Sequence, residues 1–205
     1  MSTLLEMKGI SKSFNGVPAL RDVQLSLESG EVHALLGENG AGKSTLIKIL
    51  GGIYSKDSGE IYINGKPAQI TNVKEAREDG ISIIHQELMM LPQMRIYENV
   101  FLGQEYKSNG FIKRSEMIQK TKEMLEFFSL DLDPREKLGH LPIAQQQIIE
   151  IIKAISFGAR IIVMDEPTSS LSEKEVDFLF SAIRRLKKEN VGIIYISHRM
   201  SELDE

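Results

Sequence analysis

One segment of eight residues constrains the fold of this chain more than any other. Gly37 to Ser44 reads GENGAGKS, with glycine at its first and sixth positions and lysine and serine directly after the second of these. Glycine lets the backbone curl so that successive N–H groups point at one anion. A lysine at this spacing reaches the β- and γ-phosphates of a nucleotide, and the serine hydroxyl is a ligand for Mg²⁺. The segment therefore predicts a phosphate-binding loop.

The residues on either side of this loop have the periodicity that such a loop requires. An apolar stretch within Glu31–Leu36 is typical of a strand, and apolar residues recur at helical spacing over Leu46–Leu50. A helix that begins near Lys43 directs the positive end of its dipole at the anion. The alternative is a glycine-rich turn without a ligand, and the order strand, loop, helix favours the phosphate loop.

Three short apolar runs predict the strands of a parallel sheet. They are Ile81–Ile84, Ile161–Met164 and Gly192–Ile196. Strands that are covered on both faces are continuously apolar in this way. Between the first two runs the pattern becomes helical, with an apolar stripe over Ser115–Leu130 and an isoleucine-rich run over Ile148–Ile155. We therefore predict an α/β fold with a helical insertion.

Polar residues follow each of these strands, at the edge of the sheet where ligands bind. We expect Asp165 to hold a metal ion through water and Glu166 to polarise an attacking water, beside the phosphate loop if the two strands are neighbours. The alternative is an acidic turn that only solvates the strand end. Gln86 offers an amide for metal and water, although isolated glutamines are usually only solvated. A lone histidine such as His198 is more often structural, but its place on the same edge favours a contact with the γ-phosphate.

Composition bounds the remaining possibilities. The chain has 205 residues, with 25 Lys and Arg against 29 Asp and Glu, so its formal net charge is −4. This slight acidity argues against nucleic acid as a partner, because proteins that bind it usually carry a basic surface. The absence of cysteine excludes disulfides, thiolate zinc sites and cysteine nucleophiles. Met1–Phe14 lacks the pattern of a signal peptide and no apolar run reaches about 18 residues, so we expect a soluble cytoplasmic protein.

Six elements, taken in order, carry a resemblance to a known family. They are Phe14, Gly37–Thr45, Gln86, Leu141–Gln147, Asp165–Glu166 and His198. In order and spacing this set resembles the nucleotide-binding subunit of an ABC transporter, which is a P-loop NTPase with a helical subdomain inserted in its core. The resemblance covers Leu4–Glu205.

The resemblance implies ATP and Mg²⁺ as ligands and a role for each element. Phe14 stacks on adenine. The residues implied to bind the phosphates are Gly37, Asn39, Gly40, Ala41, Gly42, Lys43, Ser44 and Thr45. The implied metal ligands are Ser44, Gln86 and Asp165, and the implied catalytic residues are Glu166, His198 and Gln86. The implied signature, which contacts the ATP of an opposite domain, comprises Leu141, Pro142, Ile143, Ala144 and Gln145.

The resemblance also implies partners. Family members bind two ATP molecules between two nucleotide-binding domains, either in one chain or in a homodimer, and drive permease subunits that receive solute from a solute-binding protein. The chain would then be peripheral on the inner face of the membrane. We expect one domain over 1–205, with a core lobe of 1–86 and 159–205 and a helical subdomain of 87–158 that docks on the permease. Family domains continue further past His198, so we expect a C-terminal truncation and weak or absent hydrolysis by the isolated fragment.

Three segments narrow the resemblance to bacterial importers of monosaccharides such as ribose, xylose and galactose. They are His85–Leu88, Glu98–Gly103 and Ala144–Gln147. We therefore expect an ATPase that powers a monosaccharide importer. One alternative is a regulatory half-site with little or no hydrolysis. The other is a soluble ABC ATPase acting on ribosomes or DNA, which the lack of basic linkers and coiled-coil arms disfavours.

The chain departs from the family pattern at the signature and at the D-loop. The family signature reads L-S-x-G-Q, whereas Pro142 stands at the serine position here and Ala144 at the glycine position. Proline suits the first helical turn, but it has neither hydroxyl nor N–H, so up to two donors are lost. Ser172 replaces the usual aspartate of the D-loop and forms a capping box with Glu175. We expect an asymmetric dimer with one impaired ATP site.

A methionine-rich segment, Met89–Met94, follows the Q-loop. Its methionines are either flexible filling of the core or an adaptable groove for a helix of the permease. The sequence leaves both interpretations open.

Overall fold

A computed structural model describes residues 2–38, 40–108 and 110–198 of the protein. Along these residues the strands are β1 (Thr3–Phe14), β2 (Val17–Glu28), β3 (Val32–Leu35), β4 (Ser58–Ile63), β5 (Lys66–Pro67), β6 (Ile81–Ile84), β7 (Lys107–Ser108), β8 (Phe111–Ile112), β9 (Ile161–Asp165) and β10 (Gly192–Ile196). The helices are α1 (Lys43–Leu50), α2 (Val73–Glu78), α3 (Ile96–Val100), α4 (Arg114–Phe127), α5 (Ile143–Ser156) and α6 (Glu173–Lys188), with a 3-10 turn at Leu138–His140.

The predicted parallel sheet is present, with the strand order β3-β10-β9-β6. Successive residues of β9 face opposite sides of it. Ile162 and Met164 pack into an apolar cluster with α3, α4, α5 and α6, whereas Ile161 and Val163 pack into a second cluster with α1 and the N-terminal strands. Burial on both faces explains why these strands are continuously apolar. The α/β fold predicted from the sequence is confirmed.

A second, antiparallel sheet has the order β2-β1-β4-β5. The sequence predicts the end of β4, because the apolar run Ile61–Ile63 leads into a tight turn at Asn64 and Gly65, whose φ angles are 51° and 72°, but it does not predict β1 and β2. Its first hairpin turns at Asn15 and Gly16, which have φ angles of 50° and 82°, as tight hairpin turns require. Leu5, Met7 and Ile10 of β1 are buried, but the register shifts around Gly9. Such a bulge interrupts the period of two by which a strand is recognised in a sequence.

The predicted helices are present with altered ends. The stripe assigned to Ser115–Leu130 ends at Phe127, and Ser129 beyond it has a left-handed φ of 58°. The isoleucine-rich helix begins at Ile143. Pro142 is its N-cap, with extended backbone angles of −55° and 151°, so the expectation that Pro142 lies in the first helical turn is wrong.

The methionine-rich segment divides between core and surface. Met90 is buried, whereas the side chain of Met89 is 65% exposed and that of Leu91 is 48% exposed. The interpretation as core filling is therefore confirmed for Met90, whereas a groove for a helix of the permease stays a prediction for the exposed residues. No helix in the described ranges is long and apolar enough to cross a membrane.

Candidate functional site

The phosphate loop predicted from the sequence connects β3 to α1. Its glycines Gly37, Gly40 and Gly42 have φ angles of 154°, 88° and 92°, which residues with a Cβ rarely adopt. At Gly42 there is also no room for a Cβ, because it would lie 2.7 Å from Cδ2 of Leu20 and 2.9 Å from the carbonyl oxygen of Ala19. The curl of the loop and its packing against β2 both require glycine here.

The ammonium group of Lys43 lies across this loop. It donates hydrogen bonds to the backbone carbonyl oxygens of Gly37 and Glu38, the second at 3.0 Å. Carbonyl and phosphate oxygens are both acceptors, so the same ammonium can bind either. Asn39, which the sequence places among the phosphate-binding residues, lies outside the described residues.

The acids that follow β9 face the same cavity as the loop. This cavity, about 170 Å³ in volume, is lined by Gly40–Thr45, Asp165, Glu166, Ala19 and Ile196. Strands β3 and β9 are not neighbours, because β10 lies between them. The acids reach the loop nevertheless, since the carboxyl ends of parallel strands meet at one edge of the sheet.

Asp165 is a poorly solvated carboxyl among positive groups. Burial raises its pKa, and the negative charge of Glu166 raises the pKa further, whereas His85 and the ammonium groups of Lys43 and Lys48 lower it. Positive charge added to the cavity would stabilise the ionised form of this carboxyl. Asp165 is thus placed to neutralise a cation that binds beside the loop.

Glu166 is held in an unusual backbone conformation beside a histidine. Its φ angle is 48°, a left-handed value that costs a non-glycine residue roughly 1–2 kcal/mol. Its N–H donates to the carbonyl oxygen of Ile196 at 3.0 Å, which fixes the turn after β9 against β10. Oε1 of Glu166 lies 3.2 Å from Nδ1 of His198, and the histidine side chain is 56% exposed. A carboxylate and an imidazole are thereby brought together at the cavity.

Gln86 lies on the same edge of the sheet but not in the cavity. Ile84 of β6 pairs with Met164 of β9. Gln86 is two residues after Ile84, and Glu166 is two residues after Met164, so the two residues lie at the same level of the sheet edge. Its side chain is exposed, and it is not one of the residues that line the cavity around Lys43.

Phe14 lies at the end of β1, half-exposed, in contact with a second aromatic ring. Its ring centroid is 5.2 Å from that of Tyr54 in an edge-to-face arrangement, and the ammonium of Lys12 lies 5.6 Å from the ring. Tyr54 follows α1, the helix that begins at the phosphate loop, and the ammonium of Lys48 lies 5.4 Å from its ring. The ring contact therefore joins the end of β1 to the segment that follows the helix of the loop.

The signature segment forms the start of α5. Leu141 and Ala144 are buried, Pro142 and Ile143 are exposed, and Gln145 is partly exposed. None of these residues lines the cavity of the phosphate loop.

The first turn of α5 has no side-chain hydrogen bond from its N-cap, Pro142. The side-chain amide of Gln146 donates to the carbonyl oxygen of Leu141, just before the helix, at 2.8 Å. One turn further along, Gln147 donates to the carbonyl oxygen of Pro167 at 2.6 Å. This bond ties α5 to the segment that directly follows Glu166.

Ser172 serves the helix that it precedes. Its backbone N–H and its hydroxyl donate to the carboxylate of Glu175 at 2.9 and 2.7 Å, and these bonds lower the pKa of Glu175. The predicted capping box is confirmed. Ser172 thus helps to begin α6.

Three residues near the site are absent from the sequence predictions. Ala19 and Ile196 line the cavity, and Tyr54 pairs with Phe14. Ala19 carries no sequence signal, and Tyr54 is an isolated aromatic after a helix. Ile196 is the last residue of an apolar strand and therefore lies at the edge of the sheet where ligands bind. Its position near the site could have been predicted from the strand pattern.

Comparison with known proteins places this geometry in a family. The family model described as ABC transporter matches residues 20–169, which contain the phosphate loop, the signature segment and both acids. The chain belongs to the ABC transporter family. Within it, the chain is 52% identical over 204 residues to the putative ribose/galactose/methyl galactoside import ATP-binding protein of Geobacillus kaustophilus, a match that covers 98% of this chain and 41% of that protein.

A second ABC relative is the galactose/methyl galactoside import ATP-binding protein of Escherichia coli. It is 50% identical over 200 residues, which cover 98% of this chain and 40% of the relative. The chain therefore spans about 40% of the length of the curated relatives that it matches.

Solved structures of ABC proteins have the same fold. A nucleotide-free ATP-binding cassette from an ABC transporter superposes with a TM-score of 0.85 at 28% identity, covering 98% of this chain and 83% of that one. The ADP conformation of another ATP-binding cassette of an ABC transporter also gives 0.85, at 26% identity, covering 99% of this chain and 84% of that one. The ABC-type P-loop fold expected from the sequence is confirmed.

Proposed function

We propose that this chain binds ATP with Mg²⁺ and hydrolyses the γ-phosphate. The observation that carries the proposal is the convergence of three groups on one cavity: the curled loop with Lys43, the carboxyl of Asp165, and the carboxylate of Glu166 beside His198. Phosphoryl transfer to water needs positioning and neutralisation of charge more than covalent chemistry. This cavity offers both.

The loop and α1 bind the phosphates. N–H groups of Gly40–Thr45 and the positive end of α1 attract the phosphate oxygens, and Lys43 exchanges its carbonyl partners for the β- and γ-phosphates. Phe14, supported edge-on by Tyr54, stacks on the adenine ring. In this proposal the phosphates bind at the start of α1, and the adenine binds at Phe14, which contacts Tyr54 beyond the end of α1.

The donor set fits Mg²⁺ that arrives with the nucleotide. Among the described residues, no group of three or more His, Cys, Asp or Glu side chains could hold a metal ion. Mg²⁺ is usually bound through one or two carboxylates together with substrate phosphates, and the hydroxyl of Ser44 and the carboxylate of Asp165 line this cavity. We place Gln86 as a further ligand, which requires its exposed side chain to turn inward. When bound, Mg²⁺ neutralises charge on the β- and γ-phosphates.

Glu166 and His198 carry out the hydrolytic step. The carboxylate of Glu166 accepts a hydrogen bond from the attacking water and orients it in line with the γ-phosphate. The imidazole of His198 holds the carboxylate of Glu166 through its Nδ1 atom and faces a γ-phosphate oxygen with its other nitrogen. The 3.2 Å contact between them therefore connects the water-binding group to the phosphate that it attacks.

A second nucleotide-binding domain completes the site. In this proposal the segment Leu141–Gln145 faces the ATP of that domain, which explains why it does not line the cavity of its own phosphate loop. Pro142 supplies neither a hydroxyl nor an N–H, so the opposite ATP is held by the remaining N–H groups of the first turn of α5. One of the two sites is consequently weaker in closure or hydrolysis.

The chain powers import of a monosaccharide in this proposal. The support is the similarity to two import ATP-binding proteins for galactose and related sugars, at 50–52% identity over nearly the whole chain. It lies on the cytoplasmic face of the membrane, bound to permease subunits that receive sugar from a solute-binding protein. Residues 1–86 and 159–205 form the core lobe, and residues 87–158 form the helical subdomain.

In this proposal the permease docks at a cavity between the core lobe and the helical subdomain. The cavity measures about 260 Å³ and lies beside the exposed apolar side chains of Ile53, Val73 and Met89. A concavity with exposed apolar side chains at its border and charged groups such as Arg77 and Lys153 in its lining fits an amphipathic helix.

A regulatory half-site that binds ATP without hydrolysis is the second candidate, and the missing donor at Pro142 favours it. The two are separated by reconstituting the genome-encoded protein with its permease and solute-binding protein in proteoliposomes. We expect hydrolysis of ATP and ATP-dependent uptake of ribose, galactose or xylose. Tight ATP binding without hydrolysis would support the regulatory half-site, and hydrolysis without uptake of any of these sugars would contradict the importer.

A further inference from the structure

Glu150 is an acid that the fold of α5 does not require. It lies among isoleucines of this helix, between Ile149 and Ile151, which are completely buried, and is itself only 7% exposed. Its Oε2 atom is buried without a hydrogen-bond partner. A buried carboxyl with an unpaired oxygen lowers stability, so packing alone does not account for its presence.

The other oxygen of Glu150 holds a distant part of the chain. Oε1 accepts a hydrogen bond from the backbone N–H of Met89 at 3.2 Å, across 61 positions of sequence. Met89 lies three residues after Gln86, on the segment between β6 and α3. The side chain of Glu150 therefore attaches this segment to α5.

A second buried side chain holds the same segment two residues further on. Asn99 of α3, which is completely buried, accepts a hydrogen bond from the N–H of Leu91 at 2.8 Å and donates to its carbonyl oxygen at 3.0 Å. With Met89 and Leu91 fixed through their backbones, their side chains point outward while Met90 is buried between them. The outward pair forms a preset apolar surface beside the docking cavity.

Helix α5 connects this surface to the signature. Pro142, the N-cap, and Glu150 are separated by about two helical turns, or roughly 12 Å. A helix of this length moves as a rigid unit, so a displacement of Met89 that pulls on Glu150 also displaces the first turn of α5. The N-terminal end of the helix is the one that faces the opposite ATP in the proposed function.

We propose that Glu150 is a positioning residue that transmits the docked state of the Met89 surface to the signature end of α5. The inference rests on the proposed function, because it assumes that a permease segment docks at Met89 and that Pro142 faces a nucleotide. In this inference the buried carboxyl of Glu150 connects the permease-docking surface at Met89 to the signature end of α5.

The groups that face Glu150 make this connection sensitive to pH. Burial raises the pKa of Glu150 to about 7, while the N–H of Met89 and the charge of Lys153 on the same helix act to lower it. Arg77 of α2 and His85 after β6 also line the cavity that Glu150 borders. The ionised carboxylate accepts the Met89 hydrogen bond more strongly than the neutral acid does, so the connection strengthens as the pH rises through 7.

The test uses the protein as its gene encodes it, reconstituted with its permease. The measured quantity is the permease stimulation, which is the rate of ATP hydrolysis with permease divided by the rate without it. Glu150→Met removes the acceptor at similar size, and Glu150→Gln keeps an acceptor but cannot ionise. Thr121→Val is the matched control: Thr121 is a buried polar residue of α4 whose hydroxyl donates only to Met117 of its own helix in the contacts observed, at 2.8 Å. Thermal unfolding is measured for all three variants.

We expect Glu150→Met to lower the permease stimulation roughly fivefold or more, the range of coupling between two sites, without lowering the unfolding midpoint. Glu150→Gln should keep most of the stimulation but lose its rise with pH, and Thr121→Val should keep both. Unchanged stimulation in Glu150→Met, or a loss that parallels a lower midpoint, would overturn the inference. Absence of any stimulation in the wild type would instead contradict the proposed function and the inference with it.

Discussion

Nδ1 of His198 lies 3.2 Å from Oε1 of Glu166, and Glu166 lines the cavity of the phosphate loop. The two residues come from the ends of neighbouring strands, and a left-handed backbone at Glu166 turns its carboxylate into this contact. Strained backbone that persists at a ligand cavity is often part of a mechanism. The contact predicts that the two side chains act as a unit.

Replacing His198 by alanine should reduce ATP turnover by about 10²–10⁴-fold while leaving ATP binding nearly unchanged, because His198 positions Glu166, the group that acts on water in the transition state. Steady-state hydrolysis and equilibrium binding of ATP measure the two effects. The matched control is His33→Ala, since Nδ1 of His33 also lies close to a carboxylate, 3.1 Å from Oε1 of Glu31, but His33 does not line the cavity of the loop. Equal losses in both variants would contradict a specific role for His198.

Gly42→Ala should abolish tight nucleotide binding and lower the free energy of unfolding by more than Gly65→Ala does. Both glycines have positive φ, so each substitution carries strain of roughly 1–2 kcal/mol. Only at Gly42 does the new Cβ also collide, with Leu20 and Ala19, whereas nothing lies within 4 Å at Gly65. Chemical denaturation and ATP titration check this. Equal destabilisation by the two substitutions would refute the close approach at Gly42.

Pro142→Ser should raise both ATP hydrolysis and transport. Serine at an N-cap stabilises a helix by about 1 kcal/mol, and its hydroxyl also supplies the donor that proline lacks. The measurement is the rate of hydrolysis and sugar uptake by the assembled complex. Unchanged rates would exclude the impaired site that we attribute to Pro142.

Glu150 should make the protein less stable as the pH rises. Its pKa is about 7 in the folded protein and near 4.5 when unfolded, so the folded state binds more protons between these values and loses stability as the pH increases through them. At 1.36 kcal/mol per pH unit, the loss approaches about 3 kcal/mol. Denaturation at several pH values should show this slope in the wild type and a reduced slope in Glu150→Gln. Equal slopes in the two proteins would be incompatible with a buried ionisable Glu150.

The phosphate loop and the acids after β9 were predictable because each depends on a short local pattern. The order of the strands was not, since nothing in Val32–Leu35 or Ile161–Asp165 records that β10 lies between them. Strands β1 and β2 of the N-terminal sheet escaped prediction, and in β1 the bulge around Gly9 breaks the alternation. Local patterns predict individual strands and loops, whereas the pairing of strands depends on packing between distant parts of the chain.

Long-range contacts of single side chains were equally hidden. Tyr54 pairs with Phe14 across 40 positions, and Glu150 reaches Met89 across 61. Glu150 did leave a trace, as an acid within an isoleucine-rich run. Which part of the chain it holds depends on the packing of α5 against the segment after β6, which no spacing in the sequence encodes.

Glu166→Gln in the assembled complex tests the central claim most directly. The substitution keeps the shape of the side chain but removes the carboxylate that polarises water, so we expect ATP to bind as tightly as in the wild type while hydrolysis and sugar uptake both stop. Glu126→Gln, at an exposed position of α4, should leave all three unchanged. Hydrolysis and uptake by Glu166→Gln at the wild-type rate would contradict the account.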